Sequence, residues 1–254
     1  MNSTASNPCR VVIFGATSRI AFECARALIG MLAPRPVEFR LVGRNHHRLD
    51  ACAADLRLRG AAASFACADF LDPLTNWDAL MNLPDGSPPN ICLVAAGDMP
   101  PQEEMETEGV KLARMVDLNL TATARICLAA RRVMGGRGGT LAVLGSVAGD
   151  RGKASNYLYG ATKAAVETLL DGLDHSLGPR SPLRLVLLKP GFVESPMTAG
   201  LPPTRLMTSA EKAGALVARA ILRGRRVAYI PGWWRWILLI IRRLPRAVFL
   251  RVKI

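Results

Sequence analysis

Apolar runs of four to six residues recur along most of the chain, and longer segments of mixed apolar and polar residues separate them. A short apolar run bounded by glycine, proline or polar residues is typical of a buried β-strand. On this pattern we predict seven strands, at residues 10–15, 37–42, 62–66, 91–95, 140–144, 183–188 and 227–230.

The segments between the strands are predicted to be helical, at residues 20–32, 47–59, 75–81, 110–134 and 157–177. A further helix opens at residues 208–211, Thr-Ser-Ala-Glu, which have the sequence of a capping box. Strands that alternate with helices favour a single α/β domain with a parallel, doubly wound sheet of the Rossmann type. Such sheets bind ligands beyond the carboxyl ends of their strands.

The formal charge of +13 is concentrated near the C-terminus. From Lys212 onwards the chain has 11 Lys and Arg residues and no Asp or Glu, whereas residues 1–211 carry 22 basic and 20 acidic residues. We therefore divide the chain into an α/β body, residues 1–228, and a basic amphipathic tail, residues 229–254. A tail of this kind indicates a polyanionic partner, either an anionic membrane surface or nucleic acid.

The tail combines tryptophans, aliphatic residues and arginines. Its apolar run is interrupted by Arg235 and is shorter than the roughly 20 residues of a membrane-spanning helix. Tryptophan prefers the headgroup region and arginine suits anionic lipid, so we expect a cytoplasmic protein held peripherally on the inner face of the cell membrane. A homo-oligomer contact is the second interpretation. Nucleic acid is the third, because the aromatic residues cluster with aliphatic ones.

The cysteines and histidines do not have the spacing of a metal site. None of the six cysteines forms a C-x-x-C pair, and none of the three histidines has ligand spacing to a cysteine pair. Cysteines within apolar runs indicate small buried residues in a reducing compartment rather than a disulfide scaffold. We therefore predict no bound metal.

The turn after the first strand stands where a dinucleotide-binding fold brings N–H groups at a helix start to a pyrophosphate. Two of the three usual glycine positions carry Arg19 and Ala21, so an ordinary strand–helix turn is an equally good interpretation. The candidate cofactor-binding residues of this turn are Gly15, Thr17, Ser18, Arg19 and Ile20.

Other strand ends carry residues that suit the same cofactor. Arg44 follows the second strand, where an arginine would accommodate a 2′-phosphate; this favours NADPH, with Arg19 as a candidate second contact. A solvated turn arginine is the alternative interpretation of Arg44. Asp69 follows the third strand, where it would hold the adenine amino group or only cap the strand. The fourth strand ends in small residues that would let a cofactor approach the backbone. These residues are Ala95, Ala96 and Gly97.

A tyrosine and a lysine one helical turn apart, Tyr159 and Lys163, follow a serine at a strand end, Ser146. Tyrosine is a poor acid–base catalyst at its usual pKa of about 10, and we expect the lysine cation to lower that pKa. The serine hydroxyl would hold the substrate oxygen, and Asn119 would bind a water that relays protons. Tyr157 is a weaker candidate, because no lysine stands four residues after it.

These motifs resemble those of the short-chain dehydrogenase/reductase family over almost the whole chain. The resemblance implies that Asn119, Ser146, Tyr159 and Lys163 form a catalytic tetrad that moves a hydride onto or off a carbonyl or alcohol carbon with NAD(P). It also implies that Lys163 holds the nicotinamide ribose. The motif after the sixth strand would contact the nicotinamide, and its matching residues are Pro190, Gly191, Val193 and Ser195.

Residues 146–163, the abbreviated turn at 16–20 and the ending at 242–249 are similar to a subgroup that reduces a polyprenyl-phosphoryl 2-keto-pentose to its arabinose form. That likeness implies NADH as the cofactor and an upstream flavin oxidase that makes the ketone, whereas Arg44 favours NADPH. Two other functions stay open. One is reduction of another lipid-borne ketone, a 3-ketoacyl or 3-keto-sphingoid compound. The other is a non-catalytic NAD(P)H-sensing protein, against which the intact Tyr159 and Lys163 argue.

Overall fold

The computed structural model describes residues 7–200 and 204–251. Residues 1–6, 201–203 and 252–254 lie outside the described residues, so the last three positions of the tail are not described. The strands are β1 (Cys9–Phe14), β2 (Val37–Gly43), β3 (Ala62–Cys67), β4 (Ile91–Val94), β5 (Gly139–Leu144), β6 (Leu183–Pro190) and β7 (Val227–Ile230).

These strands form one parallel sheet in the order β3-β2-β1-β4-β5-β6-β7. The chain leaves β1 towards one edge of the sheet and returns to β4 on the other side of β1, which creates the crevice where doubly wound sheets bind ligands. The Rossmann-type fold is confirmed, and each of the seven strands lies within two residues of its predicted position.

The helices that the structure describes are α1 (Arg19–Leu32), α2 (His46–Leu58), α3 (Trp77–Met81), α4 (Gln102–Thr107), α5 (Gly109–Val116), α6 (Thr123–Met134), α7 (Tyr157–Leu177), α8 (Ala210–Arg223), α9 (Trp234–Arg243) and α10 (Arg246–Phe249). Buried residues of α1, α2 and α8 form one hydrophobic cluster with the sheet. Those of α3, α6 and α7 form a second cluster. The central strands are buried because helices cover both faces, which explains why their sequences are apolar runs without alternation.

The continuous helix predicted at residues 110–134 is wrong. The structure interrupts it with a π-helical segment, Asp117–Ala122, between α5 and α6, and places α4 before it, which the pattern did not predict. The π-helical segment contains the fully buried Asn119, whose side chain binds backbone atoms outside the helix. A π-helical turn adds one residue to the helical repeat and is frequent at functional sites.

The helix at residue 210 begins one residue later than the capping box predicts. Ser209 is the N-cap, and its Oγ accepts a hydrogen bond from the Lys212 N–H at 3.2 Å. Thr208 cannot serve as the cap because its backbone pairs with the segment around Val193, donating to Phe192 O at 3.0 Å.

The C-terminal segment packs against the body. Tyr229 and Ile230 belong to β7, and α9 buries one face in a third hydrophobic cluster. The fully buried members of this cluster are Val147, Trp234, Leu238 and Ile241. No helix among the described residues is both long and apolar enough to cross a membrane.

Candidate active site

The candidate catalytic residues meet at the carboxyl end of the sheet. Ser146 follows β5, and Tyr159 and Lys163 lie on the first turns of α7. The 3-10 turn Val147–Gly149 connects the serine to the rest of the loop. The fold therefore brings together three residues that the sequence places on two different elements.

Ser146 opens the turn with its own side chain. Its Oγ accepts a hydrogen bond from the Ala148 N–H at 3.1 Å. Because this bond uses a lone pair of the oxygen, the hydroxyl hydrogen stays available as a donor. The serine is thus oriented to donate to a substrate carbonyl oxygen.

Two glycines bring the serine turn against α7. A Cβ on Gly160 would lie 2.7 Å from Ala148 O, and a Cβ on Gly149 would lie 2.9 Å from the backbone carbon of Lys163. Neither glycine was identified from the sequence. The only signal was their position next to catalytic residues, since a close approach between backbones is a tertiary property.

Tyr159 is 7% exposed, and burial raises its pKa to about 12, with the Ser146 hydroxyl acting in the opposite direction. The expectation that Lys163 lowers this pKa is wrong for the ligand-free protein. Desolvation of the phenolate is the larger influence on this pKa, and Ser146 rather than Lys163 is the group that opposes it. The Nζ of Lys163 lies 5.6 Å from the centroid of the tyrosine ring. Tyr159 is therefore protonated at neutral pH, as a proton donor in ketone reduction must be.

Lys163 is 5% exposed, and its Nζ donates to Leu144 O at 3.1 Å. Burial lowers its pKa to about 8. A Cβ on Gly97 would lie 3.4 Å from Lys163 Nζ and 3.2 Å from Asn119 Oδ1, so these two side chains flank the end of β4. The ammonium has further N–H groups that would bind ribose hydroxyls.

Asn119 is fully buried and its amide is already satisfied by the protein. Its Nδ2 donates to Asp98 O at 2.9 Å and to Thr162 Oγ1 at 3.3 Å, and its Oδ1 accepts from Asp98 N at 2.8 Å. These bonds join the loop after β4 to α7. That Asn119 also binds a relay water stays a prediction.

The turn after β1 fits a dinucleotide. Gly15 has φ +78°, and a Cβ there would lie 2.6 Å from Ala96 N, so the β1 and β4 turns meet at the crevice. Ser18 makes no side-chain cap on α1, which leaves N–H groups of the first helical turn available to a pyrophosphate. Thr17, Ser18 and Ile20 are half-buried beside this turn.

Arg44 is exposed and makes no ion pair with any residue that the structure describes. A second arginine that the sequence reasoning missed, Arg48 of α2, donates from its guanidinium to Thr17 O at 3.1 Å. The two cations lie at the β2 end and at the glycine turn, where they would suit a 2′-phosphate. Only the tertiary structure shows that Arg48 reaches Thr17, 31 residues away.

Arg19 is placed differently from the expectation. Its guanidinium contacts Glu211 of α8 at 2.8 Å and Glu23 at 3.6 Å. The cation is thereby paired with two carboxylates, which weakens the argument that it binds a cofactor phosphate. That contact stays a prediction.

Asp69 is exposed and caps a turn, since its Oδ1 accepts from Leu71 N at 3.1 Å. This is the capping role that the sequence offered as the alternative for Asp69. Its other carboxylate oxygen makes no hydrogen bond in the described part of the chain. Ala95 extends the β1–β4 pairing, with its N–H donating to Phe14 O at 2.8 Å. Contact of Asp69 with an adenine amino group stays a prediction.

The segment after β6 lies against the C-terminal helix. A Cβ on Gly191 would overlap the indole of Trp234, so the glycine is required by this contact. Val193 is buried and bridges to Thr208, and Ser195 N donates to Thr198 Oγ1 at 3.1 Å. Pro190 is the buried last residue of β6. The contact between Trp234 of the tail and the segment after β6 could not be predicted from the sequence.

Comparisons with known proteins point to one family. The family model described as short chain dehydrogenase matches residues 10–206. The chain is 34% identical over 256 residues to an uncharacterized oxidoreductase of Mycobacterium tuberculosis, with 99% of both chains covered. It is 30% identical over 260 residues to an uncharacterized oxidoreductase of Streptomyces coelicolor, with 100% of both chains covered.

Solved structures show the same fold. A short-chain dehydrogenase from Sphingobium yanoikuyae in complex with NADPH superposes with a TM-score of 0.77 at 25% identity, covering 97% of this chain and 96% of that one. A short-chain type dehydrogenase/reductase from Mycobacterium marinum superposes with a TM-score of 0.78 at 21% identity, covering 91% and 96%. The chain belongs to the short-chain dehydrogenase family and is an oxidoreductase.

Proposed function

We propose that the protein is an NADPH-dependent reductase of a ketone carried on a membrane lipid, and that the ketone is a polyprenyl-phosphoryl 2-keto-pentose, reduced to its arabinose form. The proposed activity is that of a decaprenylphosphoryl-2-keto-ribose reductase. The observation that carries the proposal is the position of α9, which touches the active-site loops with one face and exposes apolar residues with the other.

The inner face of α9 contacts both loops that bound the substrate side of the site. The rings of Trp234 and Phe192 are 5.6 Å apart between centroids. Trp234 also belongs to one cluster with Val147, the residue after Ser146. Helix α9 therefore packs against two loops that flank the candidate active site.

The outer face of α9 is apolar and surrounded by cations. Trp236 is 61% exposed and Ile240 is 65% exposed. The exposed arginines of the segment are Arg235, Arg242, Arg243, Arg246 and Arg251. Exposed aromatic and aliphatic residues among arginines suit an anionic lipid surface, at which an insoluble substrate would present its head group. Peripheral association with the inner face of the cell membrane follows from this proposal.

The side chains have roles that suit ketone reduction. Ser146 donates its hydroxyl hydrogen to the ketone oxygen, and Tyr159, protonated at neutral pH, gives the proton that turns this oxygen into a hydroxyl. Lys163 binds the nicotinamide ribose and the free N–H groups of α1 bind the pyrophosphate. A bound reduced nicotinamide supplies the hydride. Arg44 supports NADPH, while NADH stays an alternative.

Other parts of the proposal follow from the substrate. A 2-keto-pentose arises by oxidation of the corresponding alcohol, so an upstream flavin oxidase would supply it. Exposed residues of the tail would also suit a homo-oligomer contact.

The first alternative function is reduction of a 3-ketoacyl or 3-keto-sphingoid lipid, because the same side chains serve any ketone. The second is a non-catalytic NAD(P)H-sensing protein.

The test measures cofactor oxidation by the full chain in detergent micelles with a synthetic polyprenyl-phosphoryl 2-keto-pentose, comparing NADPH with NADH. We expect turnover with NADPH, an arabinose product by chromatography and no turnover by Tyr159→Phe. Turnover of a 3-ketoacyl or 3-keto-sphingoid lipid but not of the sugar lipid would favour the first alternative. Cofactor binding without reduction of any of these ketones would favour the second.

A further inference from the structure

A buried ion cluster joins the elements that carry the catalytic side chains. At its centre is Lys189, next to the last residue of β6, with a side chain 1% exposed. Its Nζ donates to Asp150 Oδ1 at 2.5 Å and to Glu167 Oε2 at 2.7 Å. Asp150 ends the turn that Ser146 opens, and Glu167 lies on α7 one turn beyond Lys163.

The cluster is charged and held from several sides. Burial alone would lower the pKa of Lys189, but the hydrogen bonds to Asp150 and Glu167 raise it, so the lysine is a cation at neutral pH. The side chain of Asp150 is 1% exposed, and its Oδ1 also accepts from the Tyr229 hydroxyl at 3.4 Å. The guanidinium of Arg242 on α9 is 3.7 Å from the same oxygen.

A gain in folding stability does not by itself explain why this ion cluster is buried here. Well-packed apolar residues of the same volume often stabilise a core as much as a buried ion pair does, because the pair must overcome desolvation. An ion pair differs from an apolar contact in that its hydrogen bonds require particular distances and directions between the paired groups. The three groups lie on the serine turn, on β6 and on α7, so the cluster fixes these elements relative to one another.

We propose that Lys189 is a positioning residue of the hydride-transfer site, which holds the turn of Ser146 in register with Tyr159 through Asp150 and Glu167. The serine and tyrosine hydroxyls must reach the same ketone oxygen, and misplacement by about 1 Å costs up to about a hundredfold in rate. The glycine contacts set how closely the turn approaches α7, and the ion cluster stops it from sliding along the helix. The proposal rests on the family's chemistry and not on the lipid-linked substrate.

The main test variant is Lys189→Met/Asp150→Asn/Glu167→Gln, which removes the three charges together. Lys189→Met alone leaves a buried carboxylate without its cation and is expected to unfold easily. Glu167→Gln removes only the α7 partner, whose side chain is 30% exposed, and keeps the Lys189–Asp150 pair, so it is expected to fold normally. The matched control is Arg226→Met/Asp171→Asn, which breaks the exposed ion pairs of Arg226 with two α7 carboxylates, Asp171 at 2.8 Å and Asp174 at 2.9 Å.

The first readout is hydrogen exchange of the Ala148 amide, which donates to Ser146 Oγ at 3.1 Å. This measurement needs no substrate. We expect exchange about tenfold faster in the triple variant, a smaller increase in Glu167→Gln, and no change in the control or in β1 amides. Lys189→Arg, which keeps the cation between both carboxylates, should keep exchange closer to that of the wild type than the triple variant does. Unchanged Ala148 exchange in a folded triple variant and in Glu167→Gln would overturn the proposal.

The second readout is the split between kcat and KM for any ketone that the wild type reduces. We expect kcat of the triple variant to fall by about ten- to a hundredfold, with KM and the NADPH Kd changed by less than about threefold. The control should keep wild-type kcat. A folded triple variant with kcat within about twofold of wild type would also overturn the proposal.

Discussion

Gly160 packs directly on the carbonyl of Ala148, where a Cβ would lie 2.7 Å from the oxygen. This contact sets the distance between the helix of Tyr159 and the turn of Ser146. Because a helix interior disfavours glycine by roughly 1 kcal/mol relative to alanine, the close approach is the reason for a glycine at this position.

Gly160→Ala is expected to destabilise the protein by about 1–3 kcal/mol, because the new methyl group must push the serine turn away. Gly172 on the same helix is the matched control, since a Cβ there would meet nothing within 4 Å. Gly172→Ala should stabilise the protein by about 0.5–1 kcal/mol. Urea unfolding measures both, and a Gly160→Ala variant as stable as Gly172→Ala would contradict the contact.

Tyr159→Phe is expected to reduce ketone turnover by about 10²–10⁴-fold, since the proton donor is lost while the cofactor site stays intact. Steady-state rates together with NADPH binding measure this. Tyr157→Phe is the control, because Tyr157 is exposed and donates to Glu106 Oε1 at 2.9 Å. Comparable losses in the two variants would show that Tyr159 has no special role.

Lys163 is expected to make stability depend on pH in the ligand-free protein. Burial lowers its pKa from 10.5 to about 8. Below pH 8 the lysine is protonated in both the folded and the unfolded state, and the folded state carries the full desolvation cost. Between the two pKa values the unfolded state binds more protons, so stability rises with pH.

The comparison with Lys163→Met isolates this effect from the cysteines and tyrosines, which titrate in both proteins. From pH 7 to above pH 10.5, the free energy of unfolding of the wild type should gain about 3 kcal/mol relative to the variant. Urea unfolding under reducing conditions across this range measures the difference. A difference that stays constant with pH would contradict the lowered pKa of Lys163.

Arg44→Ala is expected to reduce kcat/KM for NADPH by roughly ten- to a hundredfold and to leave the value for NADH unchanged, because only NADPH carries the 2′-phosphate. The control is Arg57→Ala at the other end of α2, where the guanidinium donates to Ala63 O at 2.9 Å. An equal loss of kcat/KM with both cofactors would contradict a contact between Arg44 and the 2′-phosphate.

Trp236→Ser/Ile240→Ser is expected to weaken binding to vesicles that contain phosphatidylglycerol by at least about tenfold, because each side chain buries apolar surface in the interface. Vesicle sedimentation measures this, and salt should weaken the wild-type binding. The control replaces two exposed leucines outside the tail, Leu58 and Leu74, which are 89% and 88% exposed. Vesicle binding that is unchanged in the tail variant would refute the proposed membrane contact.

Substitution in α9 must be restricted to the outer face. Trp234 is 2% exposed and lies against Gly191, so removal of the whole segment would disturb the candidate active site as well as remove the proposed membrane contact. The outer-face variant changes neither Trp234 nor Leu238. It therefore separates membrane binding from catalysis.

The sequence by itself determined the parallel sheet and most helices, and it predicted a candidate catalytic set. Strands buried on both faces must be apolar along their whole length, and the spacing of Tyr159 and Lys163 puts both on one helical face. These features depend on residues close together in the chain. They can be predicted because local periodicity and spacing contain the information.

Only the tertiary structure decided the features that depend on long-range contacts. The π-helical break lies where the Asn119 amide binds the backbone of Asp98, and burial raises the pKa of Tyr159. The pairing of Lys189 with Asp150 joins residues that are 39 positions apart. Desolvation, close approach and buried charge pairing depend on what surrounds a group in space, which no pattern of neighbouring residues specifies.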